Sequence, residues 1–326
     1  MRTAGGTGRP WLDTRADLAR RADIWRTIFA QADVTEVDRV LLALPLASAT
    51  GGDAYNGLLE LGTLTLPAEI PTQGDVADFA PTVLVSTPAD AVRLAERGSD
   101  AGEVRLVVVS GGPGGSLEVT RHTIEDRWGA RCLDVYALTE LGAIGWGCGM
   151  RGDGIHLEDT TLHLAVIDPE TNLPVRDGFV GELLVTTPDD WGTPLERLHT
   201  GDLVRLKQGA CQCGRSASWA EGGVLGRVAE RVSVRGHVLL PSMIEQVVRR
   251  HPAVVDFRLR TYPRNADYEV AVELQTTDAI ATESDSSRVA AEVSEDLRRS
   301  LGLRLQCDVV PPAQFNGRRA RRLSRQ

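Results

Sequence analysis

The chain has 326 residues, of which 42% are hydrophobic and 25% charged, and its formal net charge is −9 at pH 7. This composition predicts a folded globular protein with room for about one to three domains, and it excludes a largely disordered chain. The negative charge argues against a general nucleic-acid binder, because such proteins neutralise phosphates with Lys and Arg. The Arg-rich residues 318–325 are a local exception, interpreted as a solvated basic end; an RNA contact is the alternative.

No stretch of the sequence approaches the ~20 apolar residues of a membrane helix, and residues 1–25 lack the apolar core of a secretory signal. We therefore expect a cytoplasmic protein that has no membrane partner. The five cysteines are an odd number, and in such a chain they favour free thiols or a metal site over a disulfide framework.

Residues 1–225 alternate between helical and strand-like segments. In chain order the pattern predicts a helix over 13–31, strands over 39–46 and 82–85, a helix over 89–97, a strand over 104–110, a helix over 117–128 and a strand over 132–136. Such alternation indicates a parallel sheet, with ligands at the carboxyl ends of its strands. Residues 111–115 and 136–140 both follow a predicted strand directly, so we expect a site there.

From His156 onward the pattern changes. Apolar runs at 162–167 and 180–186, separated by a turn sequence, predict an antiparallel β region. After Gly226 the predicted order is strand, helix, strand, strand, helix, strand, over 231–234, 241–250, 256–261, 268–274, 287–301 and 305–310. That order is typical of a small ferredoxin-like module. The sequence therefore predicts two domains, residues 1–225 and 226–326.

Four short motifs follow one another along the chain. They are Tyr136-Ala-Leu-Thr-Glu140, Arg197-Leu-His-Thr-Gly-Asp202, Cys211-Gln-Cys-Gly-Arg215, and Gly226-Arg227 continuing to Arg235-Gly236. Each is weak alone, but in this order they resemble the adenylate-forming enzymes of the phenylacetate–CoA ligase family. The resemblance implies an α/β fold: a truncated adenylate-forming large domain, with a parallel sheet, helices and a β subdomain, followed by a small mobile α+β domain.

Residues Thr3-Ala-Gly-Gly-Thr-Gly8, near the start of the sequence, have the composition of a phosphate-binding loop. Glycines let the backbone approach phosphate oxygens and hydroxyls donate to them. By resemblance to the family's Ser/Thr/Gly loop, Thr3, Gly5, Gly6 and Thr7 contact ATP; the alternative is a mobile Gly-rich terminus. The family also has a substantial N-terminal subdomain ahead of this loop, which is missing from this sequence.

The segment from Tyr136 to Glu140 corresponds to the family's Tyr-Gly-x-Thr-Glu motif. The resemblance implies that Tyr136 packs near the adenine, Thr139 donates to the α-phosphate and Glu140 holds Mg²⁺. Ala137 replaces the family's glycine beside the nucleotide. The alternative is a strand end followed by a helix N-cap, with Thr139 capping and Glu140 in the first turn.

Further nucleotide contacts follow from the same resemblance. Asp202 is expected to accept both ribose hydroxyls, which suits an acceptor with two oxygens; a turn aspartate is the alternative. Arg227 is expected to reach the ribose or a phosphate; a surface arginine is the alternative. Gly112 and Pro113 match the family's adenine-side Gly-Ala-Glu-Pro segment but lack its acid, so any adenine contact there comes from the backbone.

Three cysteines and one histidine form a second candidate set: Cys148, His156, Cys211 and Cys213. Such a set suits a tetrahedral structural Zn²⁺, and related ligases carry a similar arrangement. The alternative is a group of reduced buried thiols with a loop histidine. Cys132 and Cys307 are expected to be core residues of strands.

The chain departs from the family at two functional positions. Family members end with a catalytic lysine in a Gly-Lys-Ala-Lys-Arg-like segment, but residues 317–322 here read Gly-Arg-Arg-Ala-Arg-Arg, which puts Arg319 in the lysine's place. Arginine keeps the charge but has a planar fork instead of a compact ammonium. The family's pivot aspartate between the domains is Ala229.

Two functions are therefore predicted. The first is ATP-dependent activation of a small, aromatic carboxylic acid to an acyl-adenylate, with transfer to CoA, a carrier-protein thiol or an amine. The alternative is a catalytically impaired homologue that binds a nucleotide or acyl-adenylate, or a subunit whose protein partner supplies the missing subdomain.

Overall fold

The computed structural model describes residues 12–96, 102–112, 115–215, 218–234, 237–264, 267–277, 282–311 and 324–325. The chain forms two compact units, Met1–Val224 and Leu225–Gln326. Within the described ranges, no helix combines the length and the apolar composition needed to cross a bilayer.

The first unit begins with an α/β part and ends with a β part. Its elements are α1 (Arg15–Gln31), β1 (Arg39–Leu42), α2 (Ala49–Leu61), β2 (Leu64–Pro67), α3 (Gln73–Phe79), β3 (Val83–Ser86), α4 (Pro88–Glu96), β4 (Leu106–Ser110), α5 (Glu118–Trp128), β5 (Arg131–Leu138), β6 (Gly142–Cys148), β7 (Arg151–Leu157), β8 (His163–Ile167), β9 (Val180–Thr186), β10 (Leu198–Lys207) and β11 (Trp219–Arg227). These strands form one sheet in the order β2-β1-β3-β4-β5-β6-β7-β11-β10-β9-β8.

Pairing in the sheet changes direction at β5. The pairs β1–β2, β1–β3, β3–β4 and β4–β5 are parallel. The pairs β5–β6, β6–β7, β7–β11, β9–β10 and β8–β9 are antiparallel. This arrangement confirms the predicted α/β fold with an additional β region.

The parallel strands are covered by helices on both faces. Strands β3 and β4 are buried along their whole length, which explains why they are continuous apolar runs instead of alternating ones. One face packs on Trp25 and Phe29 of α1, whose ring centroids lie 5.4 Å apart. Helix α1 begins at Thr14 in a capping box with Asp17, as the Thr-x-x-Asp spacing favours.

The sequence pattern missed α2, which contains three glycines that ordinarily weaken a helix. Gly57 shows why the helix tolerates one of them. A Cβ at Gly57 would lie 2.8 Å from Cβ of Trp25, so only glycine allows α2 to pack this closely on α1. Tertiary packing therefore overrides local propensity here, and the predicted strand 39–46 ends at Leu42.

The second unit contains a 3₁₀ helix (Val228–Glu230), β12 (Val232–Val234), β13 (His237–Leu239), α6 (Pro241–Val248), β14 (Val254–Arg264), β15 (Asp267–Thr276), α7 (Glu283–Leu301), β16 (Gln306–Val309) and β17 (Ser324–Arg325). Its larger sheet has the order β16-β15-β14-β17. The ferredoxin-like prediction was wrong about the first strand, because β12 pairs with β13 in a separate hairpin and β17 pairs with β14. In the sequence, two residues, Arg235 and Gly236, separate β12 from β13, which is the length typical of a hairpin connection.

Candidate nucleotide site and cysteine cluster

The carboxyl ends of β4 and β5 meet at one edge of the sheet. Ser110 pairs with Val135, which places Gly111 level with Tyr136, and the Ser110 hydroxyl donates to the Val135 carbonyl at 2.8 Å. Gly111 has φ +86°, a left-handed conformation that glycine adopts readily as the chain leaves β4. The predicted adenine-side residue Gly112 is exposed beside this edge, while Pro113 lies outside the described residues.

Tyr136 and Asp202 are brought together across the sheet. The Tyr136 hydroxyl donates to Oδ2 of Asp202 at 2.7 Å, and the two residues are 8% and 3% exposed. Asp202 lies in β10, four strands from β5 in the sheet order, which in a flat sheet would be about 19 Å away. The antiparallel part of the sheet therefore curls over toward the carboxyl end of β5.

The irregular stretch of β10 between His199 and Leu203, which carries Asp202, is fixed by hydrogen bonds of its neighbours. The backbone N–H of Asp202 donates to Oγ1 of Thr200 at 3.1 Å, and the N–H of Gly201 donates to Oε1 of Glu182 at 3.0 Å. Oε2 of Glu182 lies 3.1 Å from Nδ1 of His199. Glu182 was missed by the sequence analysis, and its only signal was an acid within the otherwise apolar strand β9.

Thr139 and Glu140 lie in the tight turn that joins β5 to β6. The Leu141 N–H donates to the Leu138 carbonyl at 3.3 Å, and the chain enters a second strand at Gly142. The alternative interpretation of this segment as a helix N-cap was therefore wrong. Among the residues that the structure describes, none donates a hydrogen bond to the Glu140 carboxylate.

A small cavity of about 10 Å³, the space of roughly one water molecule, lies beside Glu140. Its other lining residues are Leu12, Asp13, Asp17, Arg20, Arg21, Trp191 and Thr193. Burial opposes ionisation of Asp17, but hydrogen bonds from Thr14, Arg20 and Gly192 hold its pKa well below the usual range. A carboxylate that receives no hydrogen bond from the described residues, beside an opening of this kind, fits the ligand chemistry of Mg²⁺, which takes one or two carboxylates plus substrate phosphates.

The remaining predicted nucleotide ligands are placed as follows. Ala137 is partly buried against the α1 side of the sheet. Arg227 ends β11, past the division after Val224, and precedes the 3₁₀ helix that contains Ala229; its backbone N–H donates to Oε2 of Glu230 at 3.2 Å. Thr3, Gly5, Gly6, Thr7 and Arg319 lie outside the described residues.

The four predicted metal ligands converge. One ligand atom from each of Cys148, His156, Cys211 and Cys213 lies within 4.8 Å of the other three. Sγ of Cys148 and Sγ of Cys211 are 3.8 Å apart, and Sγ of Cys213 is 3.4 Å from Nε2 of His156. A tetrahedral Zn²⁺ with Zn–S bonds of about 2.3 Å would place two sulfurs about 3.8 Å apart. The donor set and its spacing therefore fit zinc.

Three segments position these ligands. Cys148 ends β6, His156 lies in β7, and the two remaining cysteines lie in the loop between β10 and β11. The His156 ring is 2% exposed and meets the Trp219 ring edge-on at a centroid distance of 4.7 Å. The loop closes on itself, because the Cys211 N–H donates to the Arg215 carbonyl at 2.9 Å.

The other two cysteines lie in strands, as predicted. Cys132 is in β5 and Cys307 is in β16. Burial raises the pKa of Cys307 to about 12 and raises that of Cys132 still further. Neither belongs to the cysteine cluster.

A wider cleft, of about 470 Å³, opens at the start of β5. Residues from the end of α1, the start of β4 and β5, the end of β6 and the Cys211–Arg215 loop line it, among them Arg131, Trp146 and Arg215. It lies at the opposite end of β5 from Tyr136.

Comparison with known proteins identifies the family. The AMP-binding enzyme family matches residues 3–190. The chain belongs to the AMP-binding enzyme family. It is 29% identical to a phenylacetate–coenzyme A ligase of Thermus thermophilus, over 95% of this chain and 69% of that protein. It is also 26% identical to a phenylacetate–coenzyme A ligase of Escherichia coli, over 94% of this chain and 74% of that protein.

A solved structure shows the same fold. A 2-hydroxyisobutyryl-CoA ligase in the postadenylation state superposes with a TM-score of 0.86 at 22% identity, and the match covers all of this chain and 72% of that one. These findings confirm the predicted resemblance. This AMP-binding enzyme is a phenylacetate–CoA ligase-like, adenylate-forming acid–thiol ligase.

Proposed function

We propose that this AMP-binding enzyme uses ATP to convert a small carboxylic acid to an acyl-adenylate and then passes the acyl group to CoA. The observation that carries the proposal is the buried hydrogen bond between Tyr136 and Asp202, beside the turn of Thr139 and Glu140. An adenosine phosphate and its metal ion need several kinds of group at one place. These side chains supply an aromatic ring, a hydroxyl and two carboxylates.

Each of these side chains has a proposed role. The Tyr136 ring packs against the adenine, and the Asp202 carboxylate accepts both ribose hydroxyls. The Thr139 hydroxyl donates to the α-phosphate, and Glu140 would hold Mg²⁺. When bound, that cation offsets charge on the phosphates, which together with positioning is what adenylation chiefly requires.

Other predicted contacts complete the nucleotide site. We propose that Thr3, Gly5, Gly6 and Thr7 donate to the phosphates and that the backbone around Gly112 and Pro113 borders the adenine. Arg227 is proposed to reach the ribose or a phosphate, and Arg319 the reacting carboxylate. Of this set, Gly112 and Arg227 are the members that the structure describes.

The proposed acid is aromatic and the proposed acceptor is CoA. Support comes from the names of the relatives, which are phenylacetate–coenzyme A ligases. A structural neighbour acts on 2-hydroxyisobutyrate, so a small hydroxy acid belongs in any substrate panel. A carrier-protein thiol or an amine is the alternative acceptor.

We also propose that the cysteine cluster binds a structural Zn²⁺. All four ligands come from the protein, which leaves no open position for a substrate and is typical of structural zinc. The site would tie the Cys211–Arg215 loop to the ends of β6 and β7.

The adenylation proposal is tested by measuring acid-dependent pyrophosphate release with MgATP across aryl, aliphatic and 2-hydroxy acids. The expected result is release with one acid class and no release without acid, followed by CoA thioester formation by mass spectrometry. Asp202→Asn is compared with wild type, since it removes one negative charge without changing the shape of the side chain, and it should release pyrophosphate more slowly at limiting ATP. Folded protein that releases no pyrophosphate with any acid would contradict the proposal.

A second candidate is a nucleotide-binding homologue with impaired adenylation, or a subunit completed by a protein partner. The observation that favours it is that Lys207 is the only lysine in the sequence. Its Nζ lies 2.5 Å from Oε1 of Glu221, so this ammonium is already engaged. This candidate predicts AMP binding by calorimetry without turnover, and about 100–1,000-fold faster adenylation after Arg319→Lys, the scale of one positioned transition-state contact.

A further inference from the structure

A buried arginine on α1 donates hydrogen bonds to the backbone of the turn that contains Thr139 and Glu140. Arg21 is 2% exposed, and its Nη2 donates to the Thr139 carbonyl at 3.0 Å and to the Glu140 carbonyl at 2.6 Å. One nitrogen that joins two successive carbonyls fixes the orientation of both peptide groups. The side chains of Thr139 and Glu140 leave the same backbone, so their directions are fixed as well.

Two carboxylates hold Arg21 in turn. Nη2 is 3.1 Å from Oδ1 of Asp13, and Nη1 is 4.0 Å from Oδ2 of Asp53. Among the described residues, Nη1 of Arg21 and Oδ2 of Asp53 are both buried without a hydrogen-bond partner. Burial and the contacts of Nη2 with two carbonyls and Asp13 therefore restrict the orientation of the guanidinium.

The backbone beside the turn is shaped to admit Arg21. Gly142, the first residue of β6, has φ +78°, and a Cβ there would lie 2.8 Å from Cγ of Arg21. Any side chain at this position would therefore displace the arginine stem. This observation is independent of the hydrogen bonds and points to the same close fit between α1 and the turn.

We propose that Arg21 is a positioning residue for the α-phosphate and Mg²⁺ contacts of Thr139 and Glu140. The proposal rests on the adenylation function and deepens it. Lysine could not replace Arg21 fully, because the planar guanidinium donates from Nη2 to two carbonyls while Nη1 faces Asp53 at 4.0 Å, and a single ammonium cannot occupy both places. In the sequence, α1 follows the Gly-rich residues 3–8, which are proposed to contact the phosphates. Arg21 connects this helix to the turn of Thr139 and Glu140, which is proposed to contact the α-phosphate and Mg²⁺.

The test compares Arg21→Met and Arg21→Lys with Arg26→Met. Arg26 lies on the same helix, and its exposed side chain pairs with Asp23. The readouts are kcat, KM for MgATP, the Mg²⁺ concentration for half-maximal pyrophosphate release, and Tm. We expect Arg21→Met to lower kcat/KM about 10–100-fold, as a misplaced reactive group does, and to raise the Mg²⁺ requirement. Arg21→Lys should recover part of the loss, and Arg26→Met should stay near wild type.

A role confined to folding would lower Tm without moving the Mg²⁺ requirement of the folded enzyme, and that result would overturn the proposal. Asp13→Asn covers the case in which the Arg21 variants do not fold, since it removes one support of Nη2 and should shift the Mg²⁺ requirement in the same direction. An unchanged requirement in Asp13→Asn would also count against the proposal.

Calorimetric binding of MgATP separates the two proposals. Wild-type protein that binds MgATP but releases no pyrophosphate would contradict the adenylation function, and Arg21 would still be judged by the binding affinity of its variants. Wild-type protein that binds no nucleotide would overturn both.

Discussion

The phenol of Tyr136 and the carboxylate of Asp202 form a buried hydrogen bond of 2.7 Å, although 66 positions separate them in the sequence. Tyr136 comes from the end of a parallel strand and Asp202 from the antiparallel region that curls over it. The contact therefore joins the two parts of the large sheet at the proposed nucleotide site.

Asp202→Asn is expected to raise the Kd for AMP and the KM for ATP more than tenfold, because it removes the charge that strengthens hydrogen bonds to the ribose. Tyr136→Phe should lower the free energy of unfolding by about 1 kcal/mol and weaken nucleotide binding less, since the ring is retained. Calorimetry and urea unfolding measure the two effects. Tyr262→Phe is the control, because that side chain is exposed. Equal nucleotide affinity in Asp202→Asn and wild type would contradict the ribose role.

The cysteine cluster makes a prediction about metal content. Purified protein should contain about one Zn²⁺ per chain, and Cys148→Ser or Cys211→Ser should lose it, because structural zinc needs all four ligands. The same variants should have a lower Tm, and a chelator should lower the Tm of wild type. Elemental analysis and thermal unfolding measure these effects. Cys307→Ser serves as the control and should keep its zinc. Metal-free wild type that is unchanged by chelator would contradict the assignment.

The parallel part of the fold was readable from the sequence because its strands are short apolar runs between amphipathic helices. Strands β4 and β5 were predicted within two residues at each end. Helix α2 was not, because its glycines serve a close packing contact that no local pattern shows. The hairpin of β12 and β13 was missed because a three-residue strand carries too little periodicity.

The site residues also divide into those that the sequence identified and those that it missed. Tyr136, Thr139, Glu140 and Asp202 were identified by resemblance, since no spacing rule would bring β5 and β10 together. Arg21 and Glu182 were missed because a charged residue normally indicates a solvated face. Arg21 stands in a sequence rich in charges, Arg15-Ala-Asp-Leu-Ala-Arg-Arg21, where only the tertiary structure shows which arginine is buried.

Gly115, which follows the predicted adenine-side segment, should not tolerate a side chain. A Cβ there would lie 2.4 Å from Oδ1 of Asp134 and 2.5 Å from Cγ2 of Val109. Asp134 accepts a hydrogen bond from the Ser116 hydroxyl at 2.6 Å, so displacing it would disturb the turn after β4. Gly115→Ala is expected to lower the free energy of unfolding by about 1–3 kcal/mol, the usual cost of overpacking.

The matched control is Gly74→Ala in the exposed helix α3, where the nearest atom to the new Cβ is 3.5 Å away. This variant should be neutral or more stable by up to about 1 kcal/mol, because alanine favours a helix. Urea unfolding of both variants measures the difference. Equal stabilities of Gly115→Ala and Gly74→Ala would contradict the prediction, because they would show that Asp134 and Val109 can move away from the new Cβ at little cost in free energy.

Asp53 should give the stability of the protein a distinctive pH dependence. Burial raises the pKa of Asp53 from the usual 3.8 to about 6; Arg21 opposes the shift and Asp13 adds to it. Between pH 4 and 6 the folded protein therefore holds a proton that the unfolded chain has released. Raising the pH through this window removes stability, by at most about 3 kcal/mol for a pKa that folding raises from 3.8 to about 6.

Asp53→Asn keeps the shape and has no proton to lose. The free energy of unfolding of wild type minus that of Asp53→Asn should therefore fall as the pH rises from 4 to 6 and stay constant above it. Urea unfolding at closely spaced pH values measures this difference. Asp23→Asn, which removes an exposed carboxylate from α1, is the control and should not reproduce the decline. A difference that rises with pH would mean that the ion pair with Arg21 outweighs burial, so that Asp53 would be a stabilising partner of the positioning arginine at neutral pH.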